Sequence, residues 1–134
     1  MNDGMMSVEQ LAQDVKEGRI DTVLACQIDM QGRLMGKRFQ AEFFLESAID
    51  ETHSCHYLQA TEMEKETLEG SKPPKSTAGY GDYVMTPDLA TLRRLPWLEG
   101  TTLVLCDVLD HHTHEDVPHS PRAVLKKQVR RLQD

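Results

Sequence analysis

An α+β fold, with a sheet crossed by one helix and a further helix at either end, is predicted by three features of the 134-residue sequence. Residues 21–28 and 33–39 are strand-like runs joined through Gly32, the arrangement of a hairpin with one solvated strand. Residues 101–108 are apolar almost throughout, which suits a strand at the centre of its sheet. Residues 8–15, 41–49 and 121–132 carry apolar side chains at helical spacing.

Taken in order, Ser7-Val8-Glu9-Gln10 reads as a capping box. Val8, Leu11, Ala12 and Val15 then form one stripe, and Gly18 supplies a left-handed stop. Asp29 to Gly32 is the hairpin turn, because glycine accepts a positive φ that other residues resist. Ala41, Phe44, Leu45 and Ala48 share a helical face expected to lie across the hairpin. His56 to Ala60 is a weaker strand. From Thr61 to Asp82, four glutamates, Pro73, Pro74, Gly70, Gly79 and Gly81 deny the chain a continuous helix or strand. A loop of about twenty residues within a domain is uncommon and draws attention as a place for function. Tyr83 to Met85 is a short strand ended by Thr86-Pro87-Asp88, and Leu89 to Trp97 an irregular connection. Ser120-Pro121 opens the last helix in the favoured cap-then-proline order, with Val124, Leu125, Val129 and Leu132 as its stripe.

Composition narrows the function classes. Fifteen Lys and Arg against 22 Asp and Glu give a net charge of −7, which argues against a duplex-DNA binder. Aromatic residues at 5% argue against base stacking on single strands. No segment is apolar enough to span a bilayer and the N-terminus lacks an export signal, so a cytoplasmic protein is expected. Cys26, Cys55 and Cys106 have no C-x-x-C spacing and read as reduced, mostly buried thiols. The charge is uneven. Residues 42–69 hold eight acids and one base, whereas residues 122–134 hold five bases and one acid. The last helix is thus basic and amphipathic, with no evident partner for its apolar face.

Three groups of residues have chemical potential. His111, His112, His114, Glu115, Asp116 and His119 have the donor types of a zinc-like site, against the alternative of a solvated linker. Glu62, Glu64, Glu66 and Glu69 would attract a cation or protonated amine, against a solvated acidic loop. Asp82, at a loop-to-strand junction, is the better held carboxylate, against a turn aspartate bonding its own backbone. No phosphate-binding glycine motif and no nucleophile–base arrangement emerges.

The order of whole segments carries a resemblance. Asp29-Met-Gln-Gly-Arg33 with Gly36-Lys37, Gly79-Tyr-Gly-Asp-Tyr-Val-Met-Thr-Pro-Asp88, Leu92 to Trp97 (LRRLPW), Leu103 to Asp107 (LVLCD) and Ser120-Pro121-Arg122 closely resemble the N-terminal region of the glutamine synthetase family. The similarity runs from about residue 8 to 134 and looks most like the branch of γ-glutamyl-amine ligases. It implies a β-grasp, ubiquitin-like sheet over residues 20–110. Residues 1–19 would be an N-terminal helix, and residues 111–134 a linker and the start of a catalytic domain that is missing.

The resemblance further implies ligation of glutamate to ammonia or an amine, driven by ATP with Mg or Mn held by the catalytic domain, none of them by this chain. It implies ring-shaped homo-oligomers in which this domain leans over the neighbouring subunit's active site. Its contribution there would be a carboxylate on the amine side. Glu62, near the place of the family's D-G-[ST]-S motif, and Asp82, matching a later family aspartate, are the residues expected to supply it. The D-G-[ST]-S motif itself is absent, which favours an amine larger than ammonia. By itself the chain is expected to be inactive. The alternative of another class is a non-catalytic β-grasp module for interaction or assembly.

Overall fold

A computed structural model of the protein describes residues 4–55 and 82–134, with the backbone alone at Cys55 and Asp82. It shows an α+β fold with five strands in the order β2-β1-β5-β4-β3. Helix α1 (Val8–Lys16) starts at Ser7, whose Oγ accepts from the Gln10 N–H at 3.1 Å, and is followed by Gly18 at a φ of 74°. Its inward face departs from the expected stripe. Asp14 is buried beside Leu11, and Ala12 is exposed. The acid is tolerated because Arg19 and Arg94 both donate to its carboxylate.

Strands β1 (Thr22–Ile28) and β2 (Leu34–Gln40) form the expected hairpin, with β2 largely solvated. Their turn is built on Asp29, which is fully buried and accepts from the N–H groups of Gln31 at 2.9 Å and Arg33 at 2.8 Å and from Arg33 Nε at 2.7 Å. Gly36 lets the strands come together: a Cβ there would lie 2.1 Å from the Ala25 carbonyl oxygen. Helix α2 (Ala41–Phe43) then widens into a π-helical turn over Phe44–Ala48, where the Ile49 N–H reaches the Phe44 carbonyl at 2.8 Å. Ala41, Phe44 and Ala48 are buried as the helical stripe predicts, and Leu45 is half-buried.

One expectation shifts in the second half. Strand β3 (Thr52–Cys55) precedes the strand expected at His56 to Ala60, which lies outside the described residues. Among its described side chains Thr52 and Ser54 are buried, and neither is apolar. Strand β4 (Asp82–Arg94) continues through Pro87 for thirteen residues, replacing the short strand and irregular connection. Further along, Met5 makes an antiparallel bridge to Arg93. Strand β5 (Thr101–Asp110) is central, as expected, and runs parallel to β1 in the register Thr22 to Thr101, Leu24 to Leu103 and Cys26 to Leu105. A hairpin, a following helix and a last strand returning parallel to the first are what the β-grasp expectation requires. Helix α3 (Pro121–Gln133) ends the chain with no buried residue; Ser120 precedes it without a side-chain cap bond.

The described residues fall into two compact units: residues 4–27, 36–52 and 86–106, and residues 28–35, 53–55, 82–85 and 107–134. The first is held by apolar packing, including Cys26, Leu95 and Leu103 with Leu24, Leu98 and Leu105 around them. In the second, Tyr83, Val108 and Val117 cluster. Full burial of side chains of this size contributes about 1.5–3 kcal/mol each.

Candidate functional site

Strand β4 brings Asp82 to the head of the second unit, one residue before the buried Tyr83. Tyr83 packs with Val108 and Val117. The Tyr83 ring meets His119 edge-on at 6.4 Å. Burial, and then the Asp110 carboxylate, push the Tyr83 hydroxyl above its ordinary pKa. Partial desolvation moves the His119 imidazole below its own. Both are thus neutral near pH 7, an apolar backing to the strand.

Asp110 is fixed differently. The backbone N–H groups of Thr113, at 2.9 Å, and His112, at 2.8 Å, bond its Oδ1 and hold its carboxyl below the usual carboxylate range. The carboxylate is thereby committed to shaping the turn after β5, and His114 there takes a φ of 56°. Asp107, on β5, accepts from Arg122 Nε and Lys126 Nζ of α3, each at 3.0 Å.

The residues singled out in the sequence are placed as follows. Glu62, with Glu64, Glu66 and Glu69, lies outside the described residues. Asp82 is the first residue of β4. The histidines of the 111–119 loop do not gather as a group: His119 is drawn to Tyr83, whereas His111 and His112 meet edge-on with ring centroids 5.3 Å apart. Among the described residues no three His, Cys, Asp or Glu groups are placed to hold a metal ion. One residue that sequence reasoning passed over enters here. His53 of β3 has its ring centroid 5.5 Å from that of His111. Nothing local in the sequence marks it, because the two histidines meet only through strand pairing.

In the first unit, open concavities flank Arg19 and Arg94. These cations are engaged by Asp14, whose pKa is lowered foremost by Arg19 against the opposing effect of burial. Burial raises the Cys26 pKa, which removes it as a nucleophile. No described helix is long and apolar enough to cross a membrane.

Comparison with known proteins gives a consistent picture. No protein-family model matches the chain. It is 44% identical over 128 residues, 95% of its length and 28% of the relative's, to a gamma-glutamylethanolamide synthetase of Streptomyces coelicolor. It is 32% identical over 120 residues, 89% of its length and 26% of the relative's, to a glutamate–isopropylamine ligase of a Pseudomonas species. The chain therefore spans about a quarter of the length of these relatives. Among solved structures, a GmaS–ADP complex superposes with a TM-score of 0.67 over 92% of this chain and 25% of that one at 24% identity, a likeness of fold.

Proposed function

The chain belongs to the glutamine synthetase family as an N-terminal β-grasp domain, and from that premise we propose that it serves an ATP-dependent ligase joining glutamate to an amine. The observation that carries this reading is the match, over 95% of the chain, to a relative named for making γ-glutamylethanolamide. In such a reaction ATP converts the glutamate γ-carboxylate to an acyl phosphate, and the amine displaces phosphate. An amine is protonated near pH 7 and must lose a proton before it attacks. A carboxylate on that side of the pocket attracts the cation and accepts its proton. Glu62 and Asp82 take this task, in the active site of a neighbouring subunit of a ring homo-oligomer in the cytoplasm.

In this reading ATP and its magnesium or manganese are held by catalytic machinery carried elsewhere, and the chemistry assigned to this chain is that of its carboxylates. Residues 20–110 then form the β-grasp domain, and residues 111–134 lead towards catalytic machinery carried elsewhere. The exposed apolar face of α3, with Val124, Leu125, Val129 and Leu132, supports this placement. That same face also favours a second reading, a non-catalytic assembly module.

Combining the chain with a family catalytic domain separates the two. Glutamate-dependent phosphate release from ATP, appearing only in the mixture and faster with ethanolamine or isopropylamine than with ammonia, is the expected result. Association without activity supports the assembly module. Synthesis of γ-glutamyl hydroxamate by the chain alone overturns the division of labour.

A further inference from the structure

We propose that His53 and His111 hold a late first-row transition-metal ion of the zinc, nickel and copper class. His53 stands on β3 and His111 just past β5, within the same unit. Their ring centroids are 5.5 Å apart with planes inclined at 58°, and those of His111 and His112 are 5.3 Å apart at 72°. Two imidazoles bound to one tetrahedral ion, with metal–nitrogen bonds of about 2.0–2.1 Å, place their ring centroids about 5 Å apart. Both pairs lie close to that separation. Inclined rings let nitrogens from two elements face one ion, which stacked rings do not.

The donor chemistry selects the ion. Neutral imidazole suits zinc, nickel and copper, whereas magnesium and calcium demand oxygen ligands. Oδ1 of Asp110, the nearest carboxylate in sequence, already accepts from the N–H groups of His112 and Thr113, and the imidazoles are the donors that meet across the two elements. A pair of imidazoles leaves coordination positions for water, so the ion binds as a clasp between β3 and the turn after β5 rather than as a closed structural centre. Because binding favours the folded arrangement of both elements, the metal raises the thermal midpoint of the chain. This site is independent of the ligase reading, since it involves neither Glu62 nor Asp82.

The test is zinc titration of the full chain by calorimetry, repeated with nickel and with magnesium. Each protein's unfolding midpoint is followed with and without zinc. Saturable zinc and nickel binding without magnesium binding is expected. His53→Ala and His111→Ala should each weaken zinc binding at least about tenfold, because loss of even an outer-shell partner has that effect. His114→Ala, on the same loop without a ring contact, should bind as the parent does. Circular dichroism of the metal-free variants guards against unfolding, and His53→Gln provides a second, milder removal of the ligand. Equal affinity in the parent and both His53 variants, or absence of zinc binding, overturns the proposal. Loss of binding in His114→Ala comparable to that in His53→Ala also overturns it, because the loop alone would then be the site.

Discussion

Asp107 on β5 receives Arg122 Nε at 3.0 Å, and the same carboxylate receives Lys126 one turn further along α3. The last helix buries none of its residues, and Arg122 and Lys126 are polar anchors that tie it to the strand. Partly exposed ion pairs contribute only about 0.2–1 kcal/mol each. Asp107→Ala is therefore expected to loosen α3 without unfolding the chain. Hydrogen exchange would show faster amide exchange over residues 121–133 and little change in β5. Unchanged protection in α3 would show that the helix is held by other contacts.

Asp29 gives the clearest prediction for pH. Burial by itself would raise its pKa, but the Arg33 backbone N–H and guanidinium and the Gln31 N–H outweigh burial and hold it below 3.8. A carboxyl with a lower pKa when folded stabilises above its unfolded value, and that contribution disappears as the pH falls through the folded value. Asp14 acts in the same direction through Arg19 and Arg94. Urea stability of the parent should decline below about pH 4. Asp29→Asn should cost about 2–3 kcal/mol at pH 7 and flatten that decline. An Asp29→Asn chain with the parent's pH slope would count against the assignment.

Gly36 is needed for its missing side chain. With a Cβ 2.1 Å from the Ala25 carbonyl, Gly36→Ala forces β2 away from β1. The expected loss is about 1–3 kcal/mol, the usual cost of overpacking. Gly32→Ala, where a Cβ meets open space but φ is 80°, tests strain without a clash. Denaturation midpoints of the two variants distinguish these effects, and a Gly36→Ala chain as stable as the parent would refute the close approach.

In an enzyme reconstituted from this chain and a catalytic domain, Glu62→Gln and Asp82→Asn should raise the KM for the amine or lower kcat. Loss of one general base typically costs about 10²–10⁴-fold in rate. ATP binding should persist, because neither carboxylate is assigned to nucleotide. Initial rates against amine concentration, together with nucleotide binding, provide the check; unaltered amine kinetics in both variants would remove the role.

The sequence by itself determined the parts whose causes are local. Ser7 and Gly18 bound α1, Gly32 turns the hairpin, and the apolar run from Thr101 identifies the central strand. Each follows from backbone preferences or hydrophobic patterning within a few residues, as does the order of segments that carries the family resemblance. The tertiary structure decided what depends on distant neighbours. Asp14 occupies a buried helix position because Arg94, remote in sequence, arrives to pair with it. Pro87 lies within a long strand, and Thr52 and Ser54 are buried although neither is apolar. His53 meets His111 only once the strands pair. Local propensity has a range of a few residues, whereas charge compensation and side-chain proximity arise from the sheet's assembly, and no one-dimensional pattern encodes them.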